Sequence, residues 1–230
     1  MAAYNGERHI YRQVKSILDQ LSPDDELIVS DDSSTDGTLD VLRSFNDKRI
    51  RVVQNTHQKG PAGNFSTALS NARFDYIFLA DQDDVWLPGR VKRHIELMHE
   101  YELVISDAMV VDAHGKILFD SFFEARGSGK GFFKNLKRNA YIGCCMSFRR
   151  SLLNRAFPFP EGLYMHDWWL GLVAELKGNV FFYNEKLLHY TRHSATATQT
   201  LEQQLPLSKK IANRWGLVRG IIQFKIKGKL

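Results

Sequence analysis

Three carboxylates fall within four residues at Asp81-Gln82-Asp83-Asp84, directly after the apolar run 75–80 (DYIFLA). Carboxylates at that density repel one another unless a cation neutralises them. Hard divalent ions such as Mg²⁺ or Mn²⁺ take a few carboxylates together with phosphate oxygens. In an open parallel sheet, ligands bind at the carboxyl ends of strands, and the acidic run sits there if 75–80 is a strand. A solvated acidic turn, or aspartates capping the next helix, explains the same residues without a ligand. A second pair, Asp31-Asp32, also follows an apolar run, 26–30 (ELIVS), and precedes a polar loop. Capping accounts for Asp36 but hardly for both pairs, so two acidic strand ends on one sheet edge point to a bound ligand.

Other chemistry-bearing residues carry less. His189 and His193, with Glu185 four residues earlier, have zinc-ligand spacing only on a helix. LLHYTRH reads better as a strand, where residues four apart lie too far apart to share one ion. The run 127–131 (GSGKG) lacks the spacing of a phosphate-binding loop and has no strand before it; a mobile loop is the better reading. Cys144 and Cys145 are adjacent, a poor geometry for bridging each other, and read as buried, inert thiols.

The elements that must position these residues alternate regularly at first. Ile10, Val14, Ile17, Leu18 and Leu21 share a helical face, and 26–30 follows as a buried strand. The loop 33–38 (SSTDGT) leads to a second helix, and 51–54 to a short strand. Pro61 opens a helix carrying Phe65, Ala68, Leu69 and Ala72. Strand 75–80, a helix with Val91, Ile95 and Met98, and strand 103–106 complete the rhythm. Over residues 1–106 this β-α-β-α order predicts a mostly parallel sheet with helices on both faces. The second half is less regular: a hairpin around His114-Gly115, a loop over 124–131, a strand over 141–148, a helix over 165–176, and strands at 180–183 and 186–190.

With 43% hydrophobic and 25% charged residues, the chain is ordinary for a globular protein and not a disordered one. No stretch of eighteen residues is free of charge, which excludes a membrane-spanning helix. The start has no signal pattern, so a cytoplasmic setting is the expectation. The net charge of +5 is uneven: residues 203–230 hold seven basic and no acidic residues, leaving 1–202 at −2. A slightly acidic body argues against nucleic acid as a partner. In the tail, Leu207, Ile211, Trp215, Val218, Ile222 and Ile226 keep helical spacing, and Leu217, Ile221 and Phe224 widen the apolar face. A basic amphipathic helix of this kind lies in the interface of an anionic membrane or packs on its own domain.

Four segments in order carry a family resemblance: Tyr4-Asn5-Gly6-Glu7, SDDSSTDGT at 30–38, FLADQDDVWLP at 78–88 and MHDWWL at 165–170. Together they resemble the inverting nucleotide-sugar glycosyltransferases of the family-2 type, with the GT-A fold. The rhamnosyl- and galactosyltransferases of bacterial surface polysaccharide synthesis show the most similar wording. The resemblance implies a GT-A-like α/β domain over 1–205, divided into a nucleotide-sugar half (1–106) and a smaller mixed acceptor half (107–205), with a tail helix over 206–230. It implies a nucleoside diphosphate sugar as donor, a glycan or lipid-linked acceptor, and Mg²⁺ or Mn²⁺ as cofactor. Ala2 and Tyr4 match the segment meeting the nucleobase, and Asp32 the carboxylate that hydrogen-bonds it. Asp81, with Gln82 beside it, matches the ribose side of the Asp-x-Asp motif, and Asp83 the metal ligand. Asp167 matches the catalytic base, and His193 resembles a late histidine that helps bind metal or diphosphate. Trp168 or Trp169 could offer an aromatic face to a sugar, although core packing is the stronger expectation for at least one. A nucleotidyltransferase, or a non-catalytic module binding sugar nucleotides or a membrane, is the rival; the former usually shows a Gly-rich loop with Arg and Lys where Tyr4-Asn5-Gly6-Glu7 stands.

Overall fold

The structure, a computed structural model, describes residues 1–192 and 205–229. Its first half follows the hydrophobic rhythm closely. Strand β1 (Ala2–Ala3) leads to α1 (Ile10–Leu18), whose Ile10, Val14, Ile17 and Leu18 are buried. Then come β2 (Leu27–Asp31), α2 (Thr38–Ser44), β3 (Ile50–Gln54), α3 (Pro61–Asn71) and β4 (Tyr76–Phe78). Strands β1, β2 and β3 are parallel neighbours, with Ala3 opposite Asp31 and Val29 opposite Val52. Ala2 N–H also donates to Ala80 O at 3.2 Å, which joins this sheet to the end of β4.

From β4 onward the sheet is mixed. The remaining strands are β5 (Val85–Trp86), β6 (Leu103–Asp112), β7 (Ile117–Phe119), β8 (Met146–Arg149) and β9 (Val180–Arg192). They run in the order β4-β8-β6-β9-β5, with β7 paired to β6. The parallel arrangement expected over 1–106 therefore stops at β3, and β4 belongs to the mixed sheet. Strand β8 enters from the second half between β4 and β6 and runs antiparallel to both. The crossover rhythm still leaves β4 and β6 pointing the same way, but one strand apart. Local patterning cannot show such an insertion, because it is set by chain return from seventy residues away.

Three further expectations change in detail. The loop over 124–131 contains a helix, α5 (Phe122–Arg126), capped by Ser121 Oγ accepting from Glu124 N–H and closed by Gly127 in the left-handed region, φ 65°. The strand over 141–148 is a 3₁₀ turn (Gly143–Cys145) followed by β8. The two strands at 180–183 and 186–190 are one strand, β9, with a bulge. Tyr183 pairs with Ser106 and Lys186 with Asp107, so Asn184 and Glu185 loop out within the strand. The other helices are α4 (Arg90–Met98), α6 (Phe132–Lys137), α7 (Arg150–Ala156), α8 (His166–Glu175) and α9 (Leu207–Ile226). Helix α8 is buried from His166 to Ala174 and packs against α3, α6 and α7. A helix apolar all round belongs inside a fold.

Candidate functional site

Two loops that carry the sequence signatures are laced together before any ligand is considered. Asn5 N–H donates to Ser34 Oγ (2.9 Å), Gly6 N–H to Thr38 Oγ1 (2.7 Å) and Glu7 N–H to Asp36 Oδ2 (3.1 Å). In return Thr35 N–H donates to Asn5 Oδ1 (2.8 Å) and Gly37 N–H to Glu7 Oε2 (3.0 Å). The polar residues after β1 and β2 thus satisfy each other's backbone and fix the rim of the sheet. A third loop joins through Gln82. Its Oε1 accepts from Tyr4 N–H and its Nε2 donates to Tyr4 O, both at 2.8 Å. A Cβ on Gly6 would lie 2.2 Å from Gln82 Oε1 and would push this amide aside. Gln82, expected among the substrate contacts, therefore has its amide engaged by the protein itself and holds the Tyr4 segment against the acidic turn.

These loops border a cleft of about 390 Å³. Ala2, Tyr4, Asp32, Asp81, Gln82, Asp83 and Asp167 all line it. Asp32 is held rigidly: Oδ1 accepts from Asn55 Nδ2 (2.7 Å) and Oδ2 from Gly60 N–H (2.8 Å). Its neighbour Asp31 accepts instead from Ser34, backbone and hydroxyl, and shapes the loop. Asp167 lies in the first turn of α8, with Oδ1 accepting from Trp168 N–H (2.7 Å). The Gly143–Cys145 turn abuts it closely. A Cβ on Gly143 would lie 3.2 Å from His166 Nε2 and 3.3 Å from Asp167 Cβ.

The cleft is strongly acidic. Burial first, and then the charges of Asp83 and Asp167, push the Asp81 carboxyl up to about 7. Asp84 is driven well above the usual carboxylate range by burial and by Asp83 and Asp81. Its Oδ1 accepts from Thr191 N–H (3.0 Å), tying the end of β9 to the acidic turn, while Oδ2 is buried without a nitrogen or oxygen donor. Ligand atoms of Asp81, Asp84 and Cys144 lie within 4.8 Å of one another. Behind them Arg90, fully buried over the Trp86 ring (4.9 Å), donates to Ser106 Oγ and Cys144 O and balances part of the charge. On the cleft side the basic groups among the described lining residues are Arg126 and His166. His166 stacks on Phe65 at 4.0 Å, and burial lowers its pKa to about 3, so it is neutral.

Neither tryptophan joins the site. Trp168 is 1% exposed and turned inward, its indole N–H donating to Asn135 O (2.7 Å); it cannot stack on a sugar. Trp169 is equally buried, bonded to Ala156 O. Both indoles serve the core because α8 is enclosed on every side. His193 lies outside the described residues. His189 and Glu185 lie on a strand, not a helix.

Sequence reasoning missed several lining residues. Asn64 is 3% exposed, with Nδ2 donating to Ala3 O (3.0 Å) and Oδ1 buried without a partner. That oxygen is an acceptor available to a ligand donor. Tyr141, Tyr190, His166 and Arg126 also line the cleft. His166 lies within MHDWWL; Asn64, Tyr141, Tyr190 and Arg126 sit in no motif with a spacing rule, and only their place beside the aspartates marks them.

Comparison with known proteins gives a consistent neighbourhood. The sequence profile of glycosyl transferase family 2 matches residues 1–157. The dTDP-rhamnosyl transferase RfbG of Shigella flexneri is 29% identical over 218 residues, covering 84% of this chain and 71% of the relative. The UDP-Glc:alpha-D-GlcNAc-diphosphoundecaprenol beta-1,3-glucosyltransferase WfgD of Escherichia coli is 31% identical over 188 residues, covering 76% and 68%. Among solved structures, S. aureus TarS residues 1–349 in complex with UDP-GlcNAc superposes with a TM-score of 0.69 at 19% identity, covering 94% of this chain and 70% of that one. The mannosyltransferase PcManGT of Pyrobaculum calidifontis, in complex with GDP-Man and Mn²⁺, gives 0.60 at 20% identity, covering 99% and 62%. The last two show a shared GT-A fold. Over its length the chain spans between 62% and 71% of these four proteins.

Proposed function

Because the chain belongs to glycosyl transferase family 2, we propose that it transfers a sugar, with inversion, from a nucleoside diphosphate donor to a glycan or lipid-linked acceptor in bacterial surface polysaccharide synthesis. The relatives support the setting: one is named for dTDP-rhamnosyl transfer and one for a diphosphoundecaprenol acceptor. The observation that carries the proposal is the charge of the cleft. Four aspartates from three separate segments line it, against one arginine and a neutral histidine among the described residues. A divalent cation would offset that excess.

A divalent metal fits the residues present, since Asp84 Oδ2 is buried without a nitrogen or oxygen donor and burial, with the charges of Asp83 and Asp167, raises the Asp81 carboxyl to about 7. Asp83 would hold it, with Asp81 alongside, and the ion would offset the charge that develops on the diphosphate leaving group. Asp32, fixed by Asn55 and Gly60, is preorganised to accept from a nucleobase or ribose donor. Ala2 and Tyr4, the latter clamped by Gln82, would form the wall of the base pocket. Asp167 takes the proton from the acceptor hydroxyl as that oxygen attacks the anomeric carbon. One oxygen is held by Trp168 N–H, which fixes the direction of the carboxylate.

The test is release of nucleoside diphosphate across a panel of sugar nucleotides, with Mn²⁺, with Mg²⁺ and with chelator, for the wild type and Asp83→Ala. Turnover of one donor, lost on chelation and reduced by more than about 10²-fold in the variant, is expected from removal of one strong charge-stabilising group. Chelator-insensitive turnover, unchanged in Asp83→Ala, would rule out the metal assignment.

A further inference from the structure

Helix α9 carries two apolar stripes where the sequence suggests one broad face. The inner stripe, Leu217, Gly220, Ile221 and Phe224, is buried. Phe224 meets Trp169 edge-on at 5.0 Å, and a Cβ on Gly220 would lie 2.9 Å from Pro160 and 3.0 Å from Trp169. Glycine at 220 thus lets α9 seat directly on the body. The outer stripe is Leu207, Ile211, Trp215, Ile222 and Ile226, exposed by 73%, 59%, 67%, 51% and 80%. At 3.6 residues per turn the outer set covers an arc of about 100°, centred roughly 140° from the inner one.

Single exposed aliphatics are ordinary, but five large ones in a continuous stripe along one helix mark an interaction surface. Its surroundings name the partner. Lys209, Arg219, Lys225 and Lys227 are exposed on the same helix or at its end, with no acidic residue between 203 and 230. Arg214 donates to Lys137 O, so α6 lies alongside and adds exposed Lys134, Lys137 and Arg138. We infer that the outer face of α9 docks on an anionic lipid bilayer. Such a surface offers apolar depth for Trp215 and the aliphatics, and anionic headgroups for the flanking lysines, in one partner. The helix lies on the bilayer and does not cross it: among the described residues no helix is long and apolar enough to do so. The arrangement has a consequence for the site. The inner stripe is fastened to Trp169, and Arg214 stacks over Trp168 at 5.2 Å, the two residues that follow Asp167. A bilayer holding the outer face therefore holds the cleft at a set height above the lipid, where a lipid-linked acceptor is presented. That consequence rests on the proposed transferase reading; the docking itself does not.

Trp215 gives a direct readout, because Trp86, Trp168 and Trp169 are all buried. The full chain is mixed with phosphatidylcholine vesicles, with or without phosphatidylglycerol, and followed by tryptophan emission and co-sedimentation at low and high salt. A blue shift and co-sedimentation with the anionic vesicles, reversed by salt, are expected. Ile211→Ser/Trp215→Ser/Ile222→Ser, which spares the inner stripe, should lower partitioning at least about tenfold. Its donor turnover in solution should equal that of the wild type. Failure to bind anionic vesicles at low salt overturns the inference. So does a concentration-dependent dimer that buries Trp215 without lipid, which would make this face a contact between two copies of the chain. Absence of donor turnover under all conditions would count against the transferase reading alone and leave the partitioning result standing.

Discussion

Gly143→Ala probes Asp167 without touching it. The added Cβ would sit 3.2 Å from His166 Nε2 and 3.3 Å from Asp167 Cβ, closer than the 3.4–4 Å of ordinary contact. Gly143 is not among the residues with a left-handed backbone, so the alanine meets a steric cost and no conformational one. His166 and Asp167 are both buried, and α8 is enclosed, so relief requires a small displacement of the first turn of α8. A misplacement of 1 Å costs about 10²-fold, so a shift of about 0.3 Å costs roughly fourfold in kcat. Gly143→Val adds two methyl groups at the same point and should cost roughly tenfold or more, with overpacking lowering stability by about 1–3 kcal/mol. Asp167→Asn is the limiting case, in which the group stays and the base is lost. The assay is steady-state kcat and KM, with calorimetric donor affinity and urea unfolding as controls. Expected is a kcat that falls from Gly to Ala to Val while donor affinity holds. If all three folded proteins turn over equally, Asp167 is not at the reacting centre.

Two other outcomes follow from the geometry. Asp32→Ala removes the acceptor shared by Asn55 and Gly60 N–H, so free nucleoside diphosphate should bind at least about tenfold more weakly, by one charge-assisted hydrogen bond; equal affinity by calorimetry would remove Asp32 from the donor site. His94 is fully buried against Ser147, and burial, with the Arg90 charge, holds its pKa well below 6.5. The unfolded chain therefore takes up this proton first, and the stability is present above about pH 6.5 and lost as pH falls below it, at about 1.4 kcal/mol per pH unit. Urea unfolding of His94→Asn between pH 7.5 and 5.5 should show a correspondingly shallower acid loss than the wild type, and parallel slopes would contradict the assignment.

The two acidic segments of the cleft were legible from spacing, since Asp31-Asp32 and Asp81 to Asp84 each follow an apolar run. The surroundings of Asp167 were not. Trp168 and Trp169 look alike beside Asp167 as a sugar platform or as core, and the choice rests on what surrounds α8, which is contributed by α3, α6 and α7. Asn64, Tyr141 and Arg126 reach the cleft from elements with no shared motif. In the tail, periodicity located the helix but merged two stripes, because a 3.6-residue repeat records apolar positions without saying which neighbour covers them.

Local order along the chain, the β-α-β rhythm of residues 1–80 and the carboxylates at two strand ends, was settled by side-chain type and short spacing alone. These depend on contacts within one element or between adjacent ones. The insertion of β8 between β4 and β6, the bulge at Asn184-Glu185 and the approach of Gly143 to Asp167 depend on segments tens of residues apart. Their positions follow from how the whole core closes, and so does the crowding that raises the Asp81 carboxyl to about 7. A carboxylate's number in the chain records its type; its charge state depends on the low-dielectric surroundings and on which other carboxylates the fold brings beside it.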